Sequence, residues 1–195
     1  MNPACIRAVL DFWFLPANDP RHNHYRPEWF RKDTAFDNEI ASRFGADVEA
    51  ALASSAPAND RAESVLAHIL LLDQFTRNIF RDTPRAFAGD GQALALATEL
   101  ISRGADKNLP PLQRWFAFLP FEHSESLLDQ ERSVALFAAL RREAQAPAFD
   151  GAYDYAVRHR DVIDRFGRFP HRNSILGRDS TADEIEFLRQ PGSSF

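Results

Sequence analysis

The sequence predicts an all-α fold, and three observations carry the prediction. Apolar residues recur mostly at helical spacing, and no run alternates apolar and polar residues convincingly as a strand would. Capping signals also stand where the periodic segments begin and end.

Residues 3 to 14 form the first expected helix, with Pro3 near its start and Ile6, Val9, Leu10 and Trp13 on one stripe. The polar, proline-bounded stretch 15 to 27 reads as a loop. A second helix is expected from about Asp33, burying Phe36, Ile40, Phe44, Val48 and Leu52, although Gly45 within it costs about 1 kcal/mol relative to alanine. "SSAPAND" reads as a linker, and Asp60 with Glu63 makes a capping-box-like start for the helix through "SVLAHILLLDQFTRNIF". That helix is apolar on nearly all sides, so it belongs at the centre of the molecule. "GDGQALALATELISRG" is a helix closed by Gly104, and "PPLQRWFAF" opens another that Pro120 is expected to stop or bend. "QERSVALFAALRREAQ" and residues 150 to 167 give two more amphipathic helices, and Thr181 with Glu184 caps a short last one. Seven or eight helices with short connections suit a bundle or stacked hairpins.

With 195 residues, 45% hydrophobic, and 17 phenylalanines, the chain suits a single all-helical domain over residues 1–195. A domain of that size buries about 70% of the surface of its unfolded chain. Its one cysteine, Cys5, can form no internal disulfide, and no window reads as a signal peptide or an 18-residue apolar span, so a cytoplasmic location without a membrane partner is expected. A formal charge of -5 argues against general nucleic-acid binding.

Polar residues concentrate in three segments. In residues 159 to 173, "HRDVIDRFGRFPHRN", helical spacing puts His159 on an apolar face and pairs Asp161 with Arg165 and Asp164 with Arg168 at i, i+4. Gly167 and Pro170 end that helix and put His171, Arg172 and Asn173 on a turn, where arginine forks match carboxylate or phosphate. In "LLLDQFTRNIFRD", Asp73 falls on the buried stripe and requires a partner, for which Arg77 is in register; Arg81 follows four residues later. In "LPFEHSE", Glu122, His123 and Glu125 lie beside a proline and could supply general acid and base. Their spacing matches no strong metal signature, and neither a metal nor another cofactor is expected. "HRD" at 159 to 161 lacks the surrounding features of a kinase loop, and "HNH" at 22 to 24 is part of a polar loop.

Together, "DFWF" (11 to 14), "EWFRKDTAFDNEI" (28 to 40), "LLLDQFTRNIFRDTPRAFAGD" (70 to 90), "FLPFEHSE" (118 to 125) and "RHRDVIDRFGRFPHRNSILGRDSTADEIEFL" (158 to 188) resemble the bacterial domain-of-unknown-function family 924. The resemblance covers nearly the whole chain in order. It implies a helical fold like that of tetratricopeptide repeats and no established activity. Its motif positions are Asp73, Gln74, Arg77, Asn78, Arg81, Glu122, His123, Ser124, Glu125, His159, Arg165, Arg168, His171, Arg172, Asn173 and Arg178; Thr76 stands where the family pattern has proline.

Three functions are open at the level of sequence. The leading one is a binding domain whose arginine-rich pocket holds a small anionic ligand or an acidic peptide, with Asp73, Arg77, Arg81, His159, Arg165, Arg168 and Arg172 as its residues. The second is a hydrolase-like or lyase-like enzyme using His123 or His171 with Glu122 or Glu125. The third is a scaffold for a protein partner, in which the same residues form a buried salt-bridge network.

Overall fold

The computed structural model describes residues 1–54 and 61–193; of the expected linker at 54–60, all but Ser54 lies outside the described residues, and the Asp60 cap with it. Every regular element among them is helical. Helix α1 (Pro3–Phe14) is capped by Asn2, whose side chain accepts from the Cys5 amide, and it buries Val9, Phe12, Trp13 and Phe14. Helix α2 (Thr34–Ala53) starts where expected, with the Asp33 carboxylate accepting from the amides of Ala35 and Phe36. Phe36, Ile40, Phe44 and Val48 form its buried stripe, and Gly45 is accommodated within it.

The central helix is continuous but not uniform. It begins as α3 (Ala62–Ile69), widens into a π-helical segment (Leu70–Phe75) and returns to α-helix as α4 (Thr76–Ile79). All six residues of the π segment are buried, as their near-continuous apolar character requires. Around it pack α1, α2, α5 (Asp90–Ser102) and α6 (Pro111–Glu122). Much of the cement is aromatic: Phe75 lies 5.1 Å from Phe44 and 5.3 Å from Trp13, and Trp29 lies 4.8 Å from Phe116, between ring centroids. Such pairs add about 0.5–1.5 kcal/mol each beyond their buried area.

Helix α7 (Leu127–Ala144) packs on α6 before it and on α8 (Pro147–Phe166) after it. The connections are too short for anything but neighbouring helices folded back on one another. Gly104 and Gly167 take the left-handed conformation that ends α5 and α8, at φ of 65° and 68°. The last helix, α9 (Ala182–Leu188), carries the complete Thr181–Glu184 capping box. With α3, the π segment and α4 taken as one, the described residues hold eight helices.

Two local expectations give way. Pro120 does not stop α6, which runs on to Glu122. It costs the Phe116 carbonyl its helical amide donor, and the burial of every residue from Leu112 to Glu122 holds the helix in spite of that loss. Nor do the pairs Asp161–Arg165 and Asp164–Arg168 form: Asp161 binds Arg160 at 2.7 Å, and Arg168, past the left-handed turn at Gly167, reaches Glu184 instead.

Candidate functional site

The π segment shapes the site. Inserting a residue into a helical turn redirects the side chains that follow; here both Asp73 and Gln74 end up buried, 0% and 7% exposed. Side chains satisfy the altered backbone. The Thr76 hydroxyl donates to the Leu72 carbonyl at 2.8 Å, and Arg77 Nη1 donates to the Asp73 carbonyl at 2.6 Å. Gly89 presses on the same turn: a Cβ there would lie 2.2 Å from the Leu72 oxygen, so the position admits only glycine without backbone movement. That close approach brings Asp90, the first residue of α5, up to Arg77.

Asp73 then becomes the hub of a partly buried cluster. Its Oδ1 is 2.6 Å from His123 Nδ1, at the end of α6, and 3.2 Å from Arg77 Nη1, while Gln74 Nε2 donates to Oδ2 at 2.5 Å. Arg77 also forms a fork with Asp90, at 2.9 and 3.0 Å. Burial opposes ionisation of Asp73, but the charges of His123 and Arg77 and the hydrogen bonds outweigh it and hold the carboxyl well below the usual range. For His123, burial and then the Arg77 charge lower the pKa, against the pull of Asp73. The ring is therefore neutral near pH 7, with Nδ1–H donated to Asp73 and the lone pair on Nε2. Among the described residues no group hydrogen-bonds that Nε2.

Behind this pair lie Glu122 and His159. Glu122 Oε1 is 3.3 Å from His159 Nδ1, which also meets the Tyr155 carbonyl at 2.9 Å, and Glu122 Oε2 is buried with no hydrogen-bond partner among the described residues. Burial, with the charge of Asp73 added, pushes the Glu122 carboxyl up to about 8, and burial lowers His159 to about 3. Both are therefore neutral near pH 7. Phe169 packs on His159, with centroids 5.5 Å apart, and the His171 ring lies 5.6 Å from that of Phe169. Burial brings His171 down to about 4.

The 3-10 turn Pro170–Arg172 brings Arg172 over the cluster. Its guanidinium lies over the rings of Phe87 and Phe169, 4.7 and 4.5 Å from their centroids. Nη2 donates to the His123 carbonyl at 3.0 Å, but the nearest carboxylate, Asp90, is 3.4 Å from Nη1.

The remaining polar residues hold the C-terminal segment in place. Glu125 takes a fork from Arg178 at 2.7 and 2.9 Å and accepts from the Phe169 amide. Glu184 takes another from Arg168 at 2.7 and 2.8 Å, which holds its carboxyl down to about 2, and Asn173 bridges Glu184 to Arg178. Arg81 leaves the site altogether, binding Asp37 of α2 at 2.8 and 2.9 Å. Arg165 lies on the outer side, over Phe166 and Phe187, where with Arg168 it borders a shallow groove.

Of the residues singled out in the sequence, then, Asp73, Arg77, Glu122, His123, His159, His171 and Arg172 come together. Glu125 and Arg168 belong to the docking of the C-terminal segment, and Arg81 and Arg165 lie elsewhere. The carboxylate on His123 is Asp73, not Glu122 or Glu125. Asp90 and Asp37, each the partner of a singled-out arginine, were missed; both stand in the first turn of a helix, and an acid there reads equally well as a dipole partner.

No curated protein matches the chain. A solved structure of a protein of unknown function from Agrobacterium tumefaciens is 37% identical, with a TM-score of 0.74 over 95% of this chain and 97% of that one. The family model for bacterial proteins of unknown function, DUF924, matches residues 9–192. With nearly its whole length matched, the chain belongs to the DUF924 family.

Proposed function

We propose that the Asp73–His123 pair is the acid–base centre of an enzyme of the hydrolase or lyase type. The observation behind this reading is the 2.6 Å bond between His123 Nδ1 and a fully buried carboxylate, with Nε2 left without a partner among the described residues. A carboxylate so placed fixes the tautomer and stabilises the imidazolium formed when Nε2 takes a proton. Arg77 keeps Asp73 ionised through that cycle, and the lowered pKa of His123 keeps the base free at neutral pH. Asp73 thus serves as a positioning residue and His123 as the base.

A panel of chromogenic esters and phosphate monoesters, together with β-hydroxy acids prone to elimination, tests the reading alongside carbethoxylation mapped by mass spectrometry. Turnover should fall about 10²- to 10⁴-fold in His123→Ala, and His123 should be among the fastest-modified histidines. Turnover retained in that variant, or a His123 inert to the reagent, refutes the proposal.

A second reading concerns the outer arginines. Arg81, Arg168 and Arg178 each meet a carboxylate in a two-pronged fork. Their proposed role is to lock helices together, and their loss should lower stability without altering the chemistry at His123.

A further inference from the structure

We propose that the His123 site takes a substrate bearing an oxyanion group, carboxylate or phosphate, which binds Arg172 in exchange for Asp90. The inference rests on the catalytic reading above and extends it to the substrate. Arg172 is a buried cation, its side chain 8% exposed, and its partners do not match its charge. Of its three nitrogens, Nη2 serves a neutral carbonyl, Nη1 reaches Asp90 at 3.4 Å, and Nε has no hydrogen-bond partner among the described residues.

Asp90 is already committed. Both its oxygens are held by the fork from Arg77 at 2.9 and 3.0 Å, so two guanidiniums share one carboxylate and Arg172 receives the weaker part. Elsewhere in this chain Arg81, Arg168 and Arg178 each have a full carboxylate fork. Burial, followed by the Arg77 charge, lowers Arg172 to about 10, and a second anion would relieve both effects.

The position suits a substrate. Arg77, Asp90 and His123 reach solvent, with side chains 21%, 23% and 15% exposed. The rings of Phe87 and Phe169, 4.7 and 4.5 Å from the Arg172 guanidinium carbon, help to hold that group in place. Asp90 therefore serves as an internal surrogate for the bound anion, keeping the arginines in place while the site is empty. A ligand oxyanion that displaces it gains planar, two-pronged contact beside the His123 base.

The test is titration of the full chain with inorganic phosphate and with acetate, against chloride at equal ionic strength, followed by the Arg Nε–H resonances in NMR and by thermal shift. Wild type should show saturable binding that moves the Arg172 signal. Asp90→Asn, which removes the competing carboxylate, should bind about tenfold more tightly, and Arg172→Gln should not bind. Arg172→Lys keeps the charge, so a folded variant with weakened binding guards against a collapsed Arg172→Gln. Preference for phosphate or for acetate identifies the oxyanion. Binding no tighter than chloride's in both wild type and Asp90→Asn, or binding indifferent to Arg172, overturns the proposal. Anion binding in a protein whose turnover survives His123→Ala would leave this site standing and remove the acid–base reading alone.

Discussion

Replacing Glu122 with glutamine should stabilise the protein by an amount that grows with pH. Glu122 is 4% exposed, and its carboxyl is pushed from an ordinary 4.5 up to about 8. A carboxyl raised in this way contributes its full stability below the unfolded-state value and loses it as pH climbs through the folded-state value. Between those limits the unfolded chain releases a proton that the folded one keeps, costing about 1.4 kcal/mol per pH unit. Glutamine fills the same space and cannot ionise, so the gap between variant and wild type should widen by about 3 kcal/mol from about pH 5 to about pH 7.5. Urea unfolding of both proteins at the two pH values measures the gap directly, and the difference cancels every other titrating group. A gap equal at both values would show Glu122 to be ionised in the folded protein and would refute the account of its burial.

Three further outcomes follow from the same structure. Gly89→Ala must displace the Leu72 carbonyl from 2.2 Å, so an overpacking cost of about 1–3 kcal/mol and a Tm lowered by about 2–4 °C per kcal/mol are expected in calorimetry; an unchanged Tm would mean the turn yields freely. His159 has a folded-state value of about 3, below its ordinary 6.5, so it contributes stability above 6.5 that is lost as pH falls. His159→Asn should flatten the acid limb of the stability curve, and an identical limb in both proteins would sink that assignment. Arg178→Gln breaks a partly exposed fork, which should cost global stability less than about 1 kcal/mol yet speed amide exchange after residue 167. Exchange that rises evenly along the chain, or not at all, would count against a locally held C-terminal segment.

The local features of this fold were the legible ones. The Asp33 cap, the Thr181–Glu184 box, the left-handed Gly104 and the Asp73–Arg77 pair all involve residues within four positions of each other, where helix geometry alone decides who meets whom. The Asp73–His123 bond joins residues 50 positions apart, and nothing in either segment's periodicity names the other. Arg77–Asp90 and Arg172–Asp90 were hidden for the same reason. The π segment had no signal either: "LLLDQF" is equally apolar in either winding, and its neighbours across the core decide the difference. Arg168 misled through its number, since four residues from Asp164 means a shared face only while the helix continues, and it ends at Gly167.

The widened turn also acts as a phase shift. An α-helix rotates each successive residue by about 100°, so the extra residue between Leu70 and Phe75 sets the angular position of everything downstream. Asn78 and Arg81 face Asp37 on one side and Arg77 faces Asp90 on another because of that offset. Removing a single leucine from Leu70–Leu72 would leave composition and hydrophobicity almost untouched, yet it would rotate these three contacts out of line together. In this helix the number of leucines, as much as their greasiness, is the information.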